Sequence, residues 1–105
     1  MVDPEIIEKI KMFRLALEDR KIRIAKIILY GSQISGIAHK DSDIDIAVIS
    51  PDFGKDRFEE GARLFQIAYK IDPRIEPVPI SSTSFQVDTW IPLIYAIRTQ
   101  GIEIE

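Results

Sequence analysis

The chain contains no cysteine. Disulfides and thiolate metal centres are therefore excluded. It has one histidine, His39, and a single histidine without cysteines cannot build a zinc site. No apolar run approaches the ~18 residues that a bilayer-spanning helix needs, so no membrane partner is expected. The opening Met1-Val2-Asp3-Pro4-Glu5 is acidic and lacks the basic-then-apolar layout of a secretory signal. A cytoplasmic protein is the expectation. A basic stripe is missing too: the net charge is −3, which argues against stable nucleic-acid binding while leaving a nucleotide with its own cations open. There is no repeat and no low-complexity tract.

What is present fits a folded domain. Of 105 residues, 46% are hydrophobic and 30% charged, a balance typical of globular proteins and unlike disordered ones. The length predicts a single domain over residues 1–105. Isoleucine is frequent, which favours strands and stiff cores. Asp3-Pro4-Glu5 reads as a helix start, and Ile6, Ile10, Phe13 and Leu17 form an apolar stripe behind it. Ile24 to Tyr30 reads as a strand that Gly31 breaks. Ser32 can cap a short helix reaching Ala38 or His39. Asp43 to Ser50 reads as a second strand. Asp56 with Glu59 resembles a capping box, opening a helix to about Ile71 whose expected buried stripe is Phe58, Ala62, Phe65 and Ala68 or Tyr69. Asp72-Pro73 stops it.

Arg74 to Ile80 reads as a third strand. Pro77 and Pro79 remove two donors from one side of it, which places it at the rim of a sheet. Ser81 to Ser84 reads as a loop, and Trp90 to Arg98 as a last helix with Pro92 in its first turn. Gly101 ends that helix, and Ile102-Glu103-Ile104 is an extended tail. The order is α-β-α-β-α-β-α, which predicts an α/β or α+β layer fold over one sheet. Trp90, Tyr95 and the phenylalanines fall at core spacing. Asp41, Asp52, Asp56, Asp72 and Asp88 have turn or capping explanations, and His39 reads as solvated.

One stretch carries chemistry: "ILYGSQISGIAHKDSDIDIAVIS", residues 28–50. In a strand, Asp43 and Asp45 project from one face, ~6.6 Å apart along the chain. Two carboxylates that close repel, and a divalent cation relieves the repulsion. Mg²⁺ suits them, because it takes one or two carboxylates and completes its shell with water and phosphate. Gly31-Ser32 supplies the complementary half: a glycine that lets backbone approach a phosphate, a hydroxyl, and the free N–H groups of a helix start. Nucleoside triphosphate with Mg²⁺ matches both halves. Two-metal transfer needs a third acid to share a metal and accept a proton, and Glu76 is the candidate.

Gly-Ser, ten intervening residues and Asp-x-Asp, here "GSQISGIAHKDSDIDIAV", resembles the signature of the DNA-polymerase-β-like nucleotidyltransferases. So short a chain looks like their minimal members. The resemblance implies a small mixed β-sheet backed by helices. It implies that Gly31 and Ser32 bind the triphosphate, that Asp43 and Asp45 bind two Mg²⁺ ions, and that Glu76 is the third, more loosely matched carboxylate. Gly36 matches a recurring small residue, whereas Ile34-Ser35 stands where many members have Ala-Arg. Minimal members often accompany a helical HEPN-type toxin and act as its antitoxin, in some systems by moving AMP from ATP to a toxin tyrosine. The acceptor is then expected from a partner chain or a homodimer mate. The alternative is a non-catalytic antitoxin that neutralises its partner by contact.

Overall fold

The Asp3 carboxylate accepts the Glu5 N–H at 2.8 Å, and Pro4 follows where a first-turn N–H is dispensable. The helix start is thus built as its sequence predicts. The computed structural model describes residues 2–105. Helix α1 spans Pro4–Asp19 and buries Ile6, Ile10, Phe13 and Leu17. Strand β1 (Lys26–Tyr30), helix α2 (Ser32–Ser35), strand β2 (Ile44–Ser50), helix α3 (Arg57–Tyr69) and strand β3 (Ile75–Ser81) follow. Helix α4 (Ser82–Val87), helix α5 (Pro92–Gln100) and strand β4 (Ile102–Glu103) complete the order.

The strands form one mixed sheet in the order β3-β2-β1-β4. β1 runs antiparallel to β2 and β4, and β2 runs parallel to β3. β3 lies at the rim, as its prolines require. The Ile44 N–H donates to the Arg74 carbonyl at 2.8 Å. Even-numbered residues of β3 therefore turn their backbone groups toward β2, and Pro77 and Pro79 turn theirs outward.

Both faces of the sheet are covered. On one, Ile27, Leu29, Ile44, Ile46, Val48 and Ile75 pack with Phe13 and Leu17 of α1 and Leu64 and Ala68 of α3. On the other, Ile28, Ala47, Ile49 and Ile80 pack with Phe85 of α4 and Ile94 and Ile97 of α5. Central strands buried on two faces need apolar side chains in unbroken succession, and each such isoleucine contributes ~1.5–3 kcal/mol by leaving water.

Five local expectations are corrected. α3 buries Leu64, Ile67 and Ala68; Phe58, Phe65 and Tyr69 are exposed. Two apolar stripes share the helix, and the one formed by Leu64, Ile67 and Ala68 is the one that meets the sheet. Ser81–Ser84 is not a loop, because the Ser81 hydroxyl accepts the Ser84 N–H at 3.1 Å and starts α4. The tail is a strand: β4 pairs with β1 through Ile28 and Leu29. α2 stops at Ser35 because Gly36 is left-handed, at φ +83°, and Gly31 rather than Ser32 holds its cap position. Trp90 and Tyr95 are exposed rather than core. Among the described residues, no helix is long and apolar enough to cross a membrane.

Candidate functional site

Strand register assembles the acidic residues. Tyr30 stands opposite Asp45 across β1 and β2, and Asp45 stands opposite Glu76 across β2 and β3. Residues in register share a face, and neighbouring strands lie ~4.8 Å apart. Tyr30, Asp45 and Glu76 therefore form one row on the α4–α5 side of the sheet. The next row, Ile28, Ala47 and Val78, is apolar and covered. The acidic row begins where that cover ends. Asp43 precedes β2 by one residue and is exposed, whereas Asp45 and Glu76 are half-buried.

The charges feel one another. Burial, then the Asp43 charge, holds the Asp45 carboxyl above its ordinary range. Burial, then Asp43 and Asp45, does the same to Glu76. Burial, then Asp45 and Glu76, raises the Tyr30 phenol. Burial is the first cause of each shift and neighbouring negative charge the second. The cluster is a convergence of like charges and not a finished cage: among the described residues, no three acidic or histidine side chains are grouped as a metal site. Its donors are all hard oxygens, a set that fits Mg²⁺ and not softer metals.

Gly31 joins this row from the side. Its backbone is at φ +77° and ψ −146°, a region that side-chain-bearing residues avoid. A Cβ built there would meet Asp45 Oδ2 at 2.5 Å. The glycine thus lets the β1–α2 turn lie directly against the carboxylate. Ser32 follows as the first residue of α2, so the structure brings Gly31, Asp45 and Glu76 to one place, with Asp43 and Ser32 beside it.

Tyr30, Arg74 and Gln33 escaped the sequence reading. Tyr30 lies in the strand that Gly31 ends, and its place in the acidic row needed the β1–β2 register. The Arg74 guanidinium donates to both Asp72 oxygens at 2.8 and 3.1 Å and to the Lys40 carbonyl at 3.0 Å. It ties the loop that leads into Asp43 to the turn that leads into Glu76. Gln33 adds a second tie, donating to the Asp43 carbonyl at 3.1 Å. Within the loop, the His39 N–H donates to the Ser42 hydroxyl at 2.8 Å.

Two clefts flank the row without containing it. One of about 350 Å³ is lined by Gln33, Gly36, His39, Lys40 and Arg74 among others. One of about 220 Å³ runs from Val78 to Ser81 beneath Ile91 and Leu93.

Residues 10–92 match the nucleotidyltransferase domain family. A solved toxin-antitoxin structure with AMP-PNP is 28% identical at a TM-score of 0.57, over 94% of this chain and 72% of that one. A second, a toxin-antitoxin MntA-HpeT mutant with two aspartates, two positions apart, changed to glutamate, is 25% identical at a TM-score of 0.54, over 92% and 72%. No curated protein matches the chain.

Proposed function

This chain belongs to the nucleotidyltransferase domain family, and from that membership we propose that it transfers AMP from ATP to a hydroxyl of a partner protein as the antitoxin of a toxin–antitoxin pair. The observation that carries the reading is the row Tyr30, Asp45 and Glu76 in register on one sheet face, with Gly31 packed on Asp45. The solved relatives support it, since both are toxin-antitoxin structures and one holds AMP-PNP. All 105 residues act as one domain, in the cytoplasm where ATP and Mg²⁺ are available.

Asp43, Asp45 and Glu76 would hold two Mg²⁺ ions. When bound, those ions neutralise charge on phosphates and carboxylates alike. Gly31 and Ser32 grip the β- and γ-phosphates of the substrate through backbone N–H groups and the Ser32 hydroxyl. Glu76 accepts the acceptor's proton as the acceptor oxygen bonds to the α-phosphorus and pyrophosphate departs. Catalysis rests on positioning and charge neutralisation. The exposed Asp43 beside half-buried Asp45 and Glu76 suits an acceptor presented by another molecule, and a tyrosine of a HEPN-type toxin is that acceptor.

The test incubates the protein with radiolabelled ATP, Mg²⁺ and the protein encoded by the adjacent gene. Label should move to the partner with wild type and not with Asp43→Asn. No transfer by wild type, or equal transfer by the variant, would defeat the proposal. A second reading follows from the family resemblance, in which Ile34-Ser35 stands where many members have Ala-Arg: an antitoxin acting by contact alone. An Asp43→Asn/Asp45→Asn protein that still neutralises its partner would establish it.

A further inference from the structure

Phe58, Ala62, Phe65 and Tyr69 recur at intervals of four, three and four along α3 and all face solvent. Phe58 is 88%, Tyr69 62% and Phe65 41% exposed. A continuous apolar helix stripe ordinarily meets a core. The core side of this helix is a different one, Leu64, Ile67 and Ala68. We infer that the Phe58–Tyr69 stripe is a self-association surface, occupied by the same stripe of a second copy of this chain with the two helices antiparallel.

Three observations select that occupant. Gly61 faces Pro79 with room for a methyl group between them, so the stripe runs beside the free edge of β3. Pro77 and Pro79 strip that edge of donors, which bars a strand from pairing there. The occupant must use side chains. Next, the spacing is symmetric about a point between Arg63 and Leu64. A two-fold axis through that point sets Phe58 beside Tyr69 of the second copy and Ala62 beneath Phe65 of the second copy. A small residue thus receives a large one at the centre, the self-complementarity that a two-fold interface demands. Finally, Glu59 and Lys70 are exposed on one flank of the stripe, and the same axis brings Glu59 of each copy toward Lys70 of the other.

The area sets the strength. At ~200 Å² per aromatic side chain, the three exposed rings offer on the order of 400 Å². A standard interface uses about 800 Å² per partner. The dimer is therefore weak and concentration-dependent.

Sedimentation velocity over about 10 µM to 1 mM covers the range in which a sub-standard interface associates. The weight-average mass should climb from 12.0 kDa toward twice that value, and Phe65→Glu should hold it at the monomer. The chain has no cysteine, so Ala62→Cys should cross-link to a dimer on oxidation while Met12→Cys, on the exposed side of α1, should not. A wild type that stays monomeric throughout overturns the inference, which leaves the stripe to a different partner. So does a dimer that persists in Phe65→Glu, or one trapped equally well by Met12→Cys.

Discussion

Gly31 and Asp45 are packed so closely that a methyl group on residue 31 would lie 2.5 Å from Asp45 Oδ2. The turn after β1 and the second acid of β2 are one structural unit. The glycine is held at φ +77°, so two independent constraints exclude a side chain there. Gly31→Ala should destabilise the fold by about 1–3 kcal/mol and displace the Asp45 carboxylate. Thermal melting and Mg²⁺-ATP calorimetry would both register the change. An alanine variant of wild-type stability and affinity would contradict the packing.

The like-charge cluster makes a pH-dependent prediction. Asp45 and Glu76 titrate above ordinary carboxylates, through burial first and neighbouring charge second. A carboxylate with a raised folded-state pKa contributes stability that is complete below its unfolded pKa and disappears as pH rises through the folded value. At pH 7 the ionised cluster opposes folding. Asp45→Asn should therefore melt higher than wild type at pH 7, and the gap should close below about pH 4. Asp52 and Asp72 are shifted down by Arg23 and Arg74 and act in the opposite sense, but equally in both proteins. A gain that does not vary with pH would refute the electrostatic account.

Arg74 bridges Asp72 and the Lys40 carbonyl, and Asp72 is only 7% exposed. Arg74→Met leaves the buried Asp72 carboxylate with only the residue-74 backbone N–H as donor, at a cost of roughly 1–3 kcal/mol. Arg74→Lys should recover only part of this, because an ammonium cannot fork across two oxygens and reach a third. Hydrogen exchange should quicken through residues 36–43 in the methionine variant. Unchanged exchange there would show that Arg74 does not hold the loop.

The two stripes of α3 differ in consequence. Leu64 is fully buried and Phe58 almost fully exposed. Leu64→Ala should cost ~2–5 kcal/mol, whereas Phe58→Ala should change stability by less than about 0.5 kcal/mol. Denaturant midpoints for the two variants decide the matter, and a reversed order would mean that the helix is rotated.

Glu76→Gln keeps the shape of the side chain and removes its basicity. With the proposed base gone, transfer to a partner should fall by about 10²–10⁴. Full activity in that variant would assign the proton to another group.

The acidic site was legible early because its parts are close in sequence. Gly31, Ser32, Asp43 and Asp45 lie within fifteen residues, although the expected strand start at Asp43 lies one residue before the observed β2. Proline chemistry placed β3 at the rim, and capping chemistry placed the starts of α1 and α3. The placement of Glu76 opposite Asp45 needed the parallel pairing of β2 with β3, which no local pattern specifies. Arg74 likewise reaches a carbonyl thirty-four residues away.

Helix periodicity reports that a stripe exists but not which element will cover it. On α3 two stripes competed, and the packing of the helix on the sheet settled the outcome. Local chemistry along the chain thus determined where elements begin, which residues share a strand face and which groups suit a phosphate and a cation. Tertiary structure alone decided which strands are neighbours, which side of α3 is wetted and which acids meet, because those depend on contacts between segments far apart in the chain.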